Sequence, residues 1–360
     1  MKLKRNSTFM NKYLLWIIVP SVFFICLQYH FFGNRLEKKR RVYSGKNEFT
    51  VGFYNLENLF DTINDPKIND EEFLPASANL WGTERYVRKL NHMAEVISAM
   101  NTPQGIDILG VCEIENVQVL TDLVNHKKLK DYHYRIVHFD SPDARGIDVA
   151  LFYNKTKFTF LKASPVKVNY DEKDFATRDI LWTTLLMGTD TLHVFVNHWP
   201  SRRGGTEQSE PKRIAAATAL NNALQRIGSN PNSRVVIMGD FNDEPTDKSL
   251  TTIFKTYDVP QPNCNTCLIN PMIALKEQKL GSHFYRGHYS MLDQILFTQN
   301  LSRPEFYDRD YRAVRIVKED FMLKVDSATS VKRPSRTFEG QRYNGGYSDH
   351  LPVYTSLIMN

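Results

Sequence analysis

Residues 48–359 predict a layered fold of the α/β or α+β class. Two features carry that expectation: short apolar runs that stop abruptly in polar clusters, and helical periodicity between them. A third is the lack of any Pro/Gly/Ser-rich break, internal repeat or long charge run, so one domain is the simplest reading of this stretch.

The runs are β-branched and aromatic, as buried strands are. Phe49–Tyr54 ends at Asn55-Leu56-Glu57-Asn58, and Ile106–Cys112 ends at Glu113-Ile114-Glu115-Asn116. Leu192–Val196 ends at Asn197-His198-Trp199, Val235–Met238 ends at Gly239-Asp240-Phe241-Asn242, and Met291–Phe297 is a further strand-like run. Glu84–Met100 places Tyr86, Val87, Leu90, Met93, Ala94, Ile97 and Met100 at helical spacing. Pro211–Ile227 does the same, with Pro211 suiting a first turn and Gly228 a stop.

The chain has 360 residues, of which 42% are hydrophobic and 12% aromatic, enough apolar mass for a large core and too much for a disordered chain. Its formal charge of +6 is unevenly placed. Residues 1–41 hold nine basic groups against one acid, which leaves 37 basic against 39 acidic groups in the remainder. A strongly basic, nucleic-acid-coating domain is thereby excluded.

The basic groups flank an apolar stretch, Leu14–Leu27, free of Asp, Glu, Lys and Arg. It approaches the ~20 residues of a membrane-spanning helix if Tyr29, His30, Phe31 and Phe32 sit at the interface. No small-residue cleavage site follows, and Phe24-Ile25 before Cys26 does not suit lipidation. Residues 1–41 are therefore expected to be an uncleaved signal-anchor in preference to a removed signal peptide. Residues 42–47 would be a linker, and the catalytic part 48–359 would lie outside the cytoplasm.

One polar strand ending is a common turn. Several with the same chemistry, gathered at sheet edges where sites form, point to a site. Carboxylate and amide oxygens suit a hard divalent cation such as Mg²⁺, and histidines supply acid–base groups near neutral pH. No zinc spacing, P-loop or Gly-x-Ser-x-Gly elbow is present. Cys264-x-x-Cys267 is read as a small disulfide or two free thiols. The acidic residues Asp61, Asp65, Asp70, Glu71 and Glu72 lack calcium-loop spacing and are read as a solvated loop.

Six segments then occur in a fixed order: Phe53-Tyr54-Asn55-Leu56-Glu57, Cys112-Glu113-Ile114-Glu115-Asn116, Asn197-His198-Trp199-Pro200, Gly239-Asp240-Phe241-Asn242, Leu292-Asp293-Gln294 and Ser348-Asp349-His350-Leu351-Pro352. As an ordered set they resemble the endonuclease/exonuclease/phosphatase superfamily, which includes pancreatic-type deoxyribonucleases, abasic-site endonucleases, bacterial sphingomyelinases and inositol polyphosphate phosphatases. The stretches Arg145–Leu151 and Gly345–His350 further resemble exported bacterial members.

The resemblance implies an α+β fold: a four-layer α/β/β/α sandwich of two mixed sheets, with the site at one edge. It implies metal and phosphate-orienting positions at Asn55, Glu57, Glu113 and Asp349, with Glu113 the principal ligand. Asp240 would orient or deprotonate the attacking water, and Asn242 would contact phosphate and metal. Asp293 would orient His350, a base or a positive group on the phosphate, and His198 would be an acid or transition-state donor. Arg178 resembles an arginine that touches substrate phosphate, and Arg202 and Arg203 are further phosphate candidates. Glu115, two residues on from Glu113, is expected to face the other side of the strand, as a surface group or a support beside the site.

The activity so implied is hydrolysis of phosphate esters with Mg²⁺, Mn²⁺ being a substitute. A nuclease on DNA or RNA comes first. The alternative is a phosphodiesterase or phosphatase on a phospholipid head group or a phosphorylated sugar or inositol. A non-catalytic, membrane-tethered binding protein ranks last, because no motif residue is missing. No motif calls for an obligate protein partner.

Overall fold

The computed structural model describes residues 47–172, 175–228, 232–308 and 313–359. The expected signal-anchor lies outside the described residues. Among those described, no helix is long and apolar enough to cross a membrane.

In chain order the strands are β1 (Glu48–Leu59), β2 (Ile108–Ile114), β3 (Tyr134–His138), β4 (Asp148–Asn154), β5 (Thr159–Val166), β6 (Ile180–Met187), β7 (Asp190–His198), β8 (Arg234–Asp240), β9 (Thr256–Tyr257) and β10 (Leu268–Ile269). They continue with β11 (His283–Tyr285), β12 (His288–Ser290), β13 (Asp293–Thr298), β14 (Val314–Ile316), β15 (Leu323–Val325), β16 (Lys332–Pro334), β17 (Phe338–Glu339), β18 (Arg342–Tyr343) and β19 (Val353–Ile358). One sheet has the order β14-β19-β1-β2-β4-β3, the other β5-β6-β7-β8-β13-β10-β9. Both are mixed, since β1–β2 and β7–β8 run parallel while β1–β19 and β8–β13 run antiparallel.

Strand alternation explains the layers. Phe49, Val51 and Phe53 of β1 meet Leu192, Val194 and Val196 of β7, Val236 and Met238 of β8, and Ile295 and Phe297 of β13 in the core between the sheets. The alternate residues Leu109, Val111, Ala150 and Phe152 pack outward with Leu90, Met93, Ala94 and Ile97 of the helix Thr83–Ala99. On the other side Phe195, Val235, Ile237 and Leu296 pack with Ala216, Ala217, Leu220 and Ala223 of the helix Thr206–Ile227. This is the expected four-layer sandwich.

Two local expectations need correction. The second helix starts at Thr206, so Pro211 lies inside it and not in the first turn. Lying beyond the first turn, it costs the one intrahelical hydrogen bond that an N–H at this position would make. The loop at 61–72 is not wholly solvated: Asp70 is buried and accepts the Asp65 N–H at 2.8 Å.

Candidate active site

The alternation that builds the central core also places the polar strand ends. Asn55 continues the inward row of Phe49, Val51 and Phe53, His198 that of Val194 and Val196, Asp240 that of Val236 and Met238, and Asp293 that of Ile295 and Phe297. Register then aligns them, with His198 paired to Asp240 across β7–β8 and Asp240 to Asp293 across β8–β13. Gly239 makes the close pairing possible, since a Cβ there would lie 2.3 Å from the Asn197 carbonyl oxygen.

The facing sheet completes the site. Asn55 Nδ2 donates across the gap to Asp240 Oδ2 at 3.2 Å and, within its own sheet, to Glu113 Oε1 at 3.4 Å. His350, just before β19, places Nδ1 2.7 Å from Asp293 Oδ2 and Nε2 3.7 Å from Asp240 Oδ2. His198 Nε2 lies 3.8 Å from both Glu113 Oε1 and Asp240 Oδ2. Asp240 Oδ2 is thus the hub between two imidazoles and an amide.

Backbone strain marks the same positions. Glu57, Glu113 and Asn242 have φ of 49°, 57° and 50°, a left-handed conformation that is unusual for such residues. At Glu57 the kink lets Oε2 accept the Thr337 N–H at 2.7 Å while Oε1 meets Arg336 Nε at 3.1 Å. At Asn242 it lets the backbone N–H reach Asp240 Oδ1 at 2.9 Å, while Nδ2 donates to the Trp199 carbonyl at 3.0 Å. Glu113 Oε2 accepts the Asn58 N–H at 3.1 Å. Residues two apart in a regular strand share a face. The left-handed turn at Glu113, with its register shift between Cys112 and Ile114, is what sends Glu115 elsewhere. Of the two positions expected for it, the surface is ruled out: Glu115 is buried and accepts the Asp61 N–H at 2.7 Å.

Burial and charge set the titration of the group. Burial pushes Asp240 up to about 7 against the opposing charge of His350. Burial, with Asp349 adding repulsion, also lifts Glu57 to about 7. Burial and the charges of Arg178 and Arg145 hold His198 well below the usual histidine range. Burial disfavours charge on His350 too, but Asp293, Asp240 and Asp349 outweigh it and hold it well above that range.

The arginines divide. Arg178 is buried and all three of its nitrogens are engaged: Nε with the His198 carbonyl at 3.2 Å, Nη1 with Asp143 at 2.9 Å and Nη2 with the Trp199 carbonyl at 2.7 Å. It braces the strand end that carries His198. Arg202 donates to the Asn242 carbonyl and to Asp243 and Asp247. Arg203 is exposed, forms no ion pair among the described residues, and lines a cavity of about 500 Å³ with Arg178, Ser201 and Lys212.

Three neighbours escaped the sequence reading. His283 forms a bridge pair with His350, and their rings pack at 4.6 Å with a 37° tilt. Lys89 is buried, with Nζ 3.7 Å from Glu57 Oε2. Its signal was present: it lies four and seven residues before the buried Met93 and Val96, so it interrupts an apolar helical stripe. Arg336 joins Glu57 to Asp349, its Nη2 2.9 Å from Asp349 Oδ2, and nothing in the spacing announced it.

The donor chemistry fits a divalent cation. Glu57, Glu113 and Asp349 with the amide of Asn55 are hard oxygen donors. Ligand atoms of Asp240, Asp293 and His350, and those of His283, Asp349 and His350, lie within 4.8 Å of one another. Asp293 Oδ1 is buried with no hydrogen-bond partner among the described residues.

A family profile described as the Endonuclease/Exonuclease/phosphatase family matches residues 50–359. The chain belongs to this family. Its members are divalent-metal-dependent, and its fold is that of phosphate-ester hydrolases. No sequence among the curated proteins matches. Among solved structures, the chain is similar to a mannosyl-6-phosphatase of Bacteroides thetaiotaomicron at 16% identity and TM-score 0.52, covering 86% of this chain and 99% of that one. It is similar to a truncated Caenorhabditis elegans TDP2 at 17% identity and TM-score 0.51, over 86% and 97% of the two chains. A third is an endonuclease/exonuclease/phosphatase family protein of Bacteroides thetaiotaomicron, at 15% identity and TM-score 0.51, over 87% and 98%. These likenesses are of fold.

Proposed function

We propose that the protein hydrolyses phosphate esters with a divalent cation, Mg²⁺ foremost, and that it acts as an endonuclease on the phosphodiesters of nucleic acid. The observation that carries the chemistry is the bridge between the sheets, in which Asp293 holds His350 at 2.7 Å and Asp240 Oδ2 faces both His350 and His198. Asp240 orients water and takes its proton as the water oxygen bonds to phosphorus. His350, kept charged by Asp293, lies against the phosphoryl oxygens. His198 takes a proton from solvent and then gives it from Nε2 to the leaving oxygen as that oxygen's bond to phosphorus breaks, returning to the neutral form that its surroundings favour. Glu57, Glu113 and Asp349 with Asn55 would hold the cation, which neutralises charge on the phosphoryl and leaving oxygens. Asn242 positions Asp240 through its N–H.

Arg203, without an ion pair among the described residues, and the cavity it lines with Lys212 favour a substrate that carries phosphate beyond the cleaved ester, as a polynucleotide does. The near balance of 37 basic and 39 acidic groups outside the first 41 residues favours a second reading, a small phosphorylated sugar, inositol or lipid head group. Supplying plasmid DNA, RNA, sphingomyelin, inositol phosphates and bis-nitrophenyl phosphate, each with Mg²⁺ or with EDTA, separates them. Nucleic acid left intact while another ester is cleaved removes the nuclease. Cleavage that survives EDTA removes the mechanism, and no cleavage of any ester leaves the tethered binding protein.

We further propose that residues 1–41 tether the catalytic part outside the cytoplasm. The disulfide between Cys264 and Cys267 supports an oxidising compartment. Protease added to intact cells should digest residues 48–359; protection would reject this placement.

A further inference from the structure

The guanidinium of Arg336 lies between two carboxylates of the site. Nε donates to Glu57 Oε1 at 3.1 Å, and Nη2 sits 2.9 Å from Asp349 Oδ2. Glu57 is fixed from behind by Lys89, whose Nζ also donates to Thr337 Oγ1 at 2.8 Å and to the Tyr347 carbonyl at 2.6 Å. Those contacts clasp the Arg336 segment to the helix Thr83–Ala99. Close backbone packing adds to this, since a Cβ on Gly346 would stand 2.1 Å from the Ser335 carbonyl oxygen. Within the group Arg336 is the accessible member, its side chain 44% exposed against 6% for Glu57 and 20% for Asp349.

Two carboxylates this close and this shielded need a positive neighbour. A guanidinium supplies it by directed hydrogen bonds, and a divalent cation by direct coordination. Arg336 already holds Glu57 Oε1 and Asp349 Oδ2, so a cation that takes those two oxygens would have to displace it. We infer that Arg336 is the resident cation of the Glu57–Asp349 pair and that a divalent cation enters this pair by displacing it. Arg336 is then a positioning residue that holds the two carboxylates together without metal and weakens their affinity for it. This rests on the metal-dependent reading above.

The test is Mn²⁺ binding to the full chain in detergent, read from the free-Mn²⁺ resonance, for wild type, Arg336→Gln and Arg336→Lys. Displacement predicts that Arg336→Gln binds Mn²⁺ about tenfold more tightly, because two charge-assisted contacts no longer compete. Arg336→Lys, which keeps the charge but cannot fork between both carboxylates, should fall between the two. Equal affinity in wild type and Arg336→Gln overturns the inference. So does an Arg336→Lys equal to wild type beside a tighter Arg336→Gln, since charge alone would then be acting. Melting without metal should show Arg336→Gln less stable than wild type, with the gap closing as Mn²⁺ is added; a gap that does not close also counts against it. A wild type that binds no Mn²⁺ at all brings down the metal-dependent reading itself.

Discussion

His198 and His350 are the same residue type at nearly the same depth, 4% and 6% exposed, on opposite sides of Asp240. Their surroundings shift their titration in opposite directions. Three carboxylates, Asp293, Asp240 and Asp349, surround His350 and overcome the burial that would neutralise it. His198 meets Glu113 and Asp240 only at 3.8 Å, has the cations Arg178 and Arg145 behind it, and leaves Nδ1 without a partner among the described residues. Burial penalises charge on both, and the neighbours decide which one bears it. Under the proposed mechanism, the charged His350 would face the phosphate and the neutral His198 would be the group free to take up and pass on a proton.

The largest expected effect comes from breaking the charged side. Asp293→Asn removes the group that orients His350 and should lower kcat by roughly 10³- to 10⁴-fold, by analogy with orienting carboxylates elsewhere. A loss under tenfold in a folded variant would show that Asp293 is packing and not orientation. On the neutral side His198→Gln should cost less, about 10²-fold in kcat, the usual contribution of one positioned proton donor. Equal losses in the two variants would erase the asymmetry.

Stability offers a test free of substrate. His350 is raised in the folded state, so its contribution is complete below the unfolded pKa of 6.5 and is lost as pH climbs through its folded value. His198 is lowered, so the unfolded chain takes its proton first and stability falls as pH drops below 6.5. Denaturant unfolding in EDTA should therefore show His198→Gln flattening the acid flank and Asp293→Asn the alkaline flank. Identical changes on both flanks would contradict the assignment.

The smallest effect belongs to Glu115, a buried acid outside the site. Burial raises it from 4.5 to about 7, so the folded state holds its proton more tightly and stability declines between those values as pH rises. Glu115→Gln should remove that decline with catalysis intact, read as a smaller melting difference between pH 5 and pH 8. An unchanged difference would mean that Glu115 titrates normally.

The sequence made the central core legible because two-residue alternation and β-branched content are local properties. The same alternation, run to the strand ends, put Asn55, His198, Asp240 and Asp293 on one face. Their order along the chain was enough to suggest a family. Pairings were not legible: nothing local states that His198, Asp240 and Asp293 share a row across three strands. Arg336 lies 279 residues from its partner Glu57, in a segment without periodic signal. The start of the helix at Thr206 was obscured by Pro211, because an inner proline and a first-turn proline look alike in sequence.

By itself, then, the sequence determined which residue types stood at strand ends and how the layers would form, because burial pattern follows from side-chain order. Only the tertiary structure decided which way each histidine's titration is shifted, which of the candidate arginines forms no ion pair among the described residues, and which cation sits between Glu57 and Asp349. Those depend on distances between groups far apart in the chain, and electrostatic energy is set by distance and by exclusion of water.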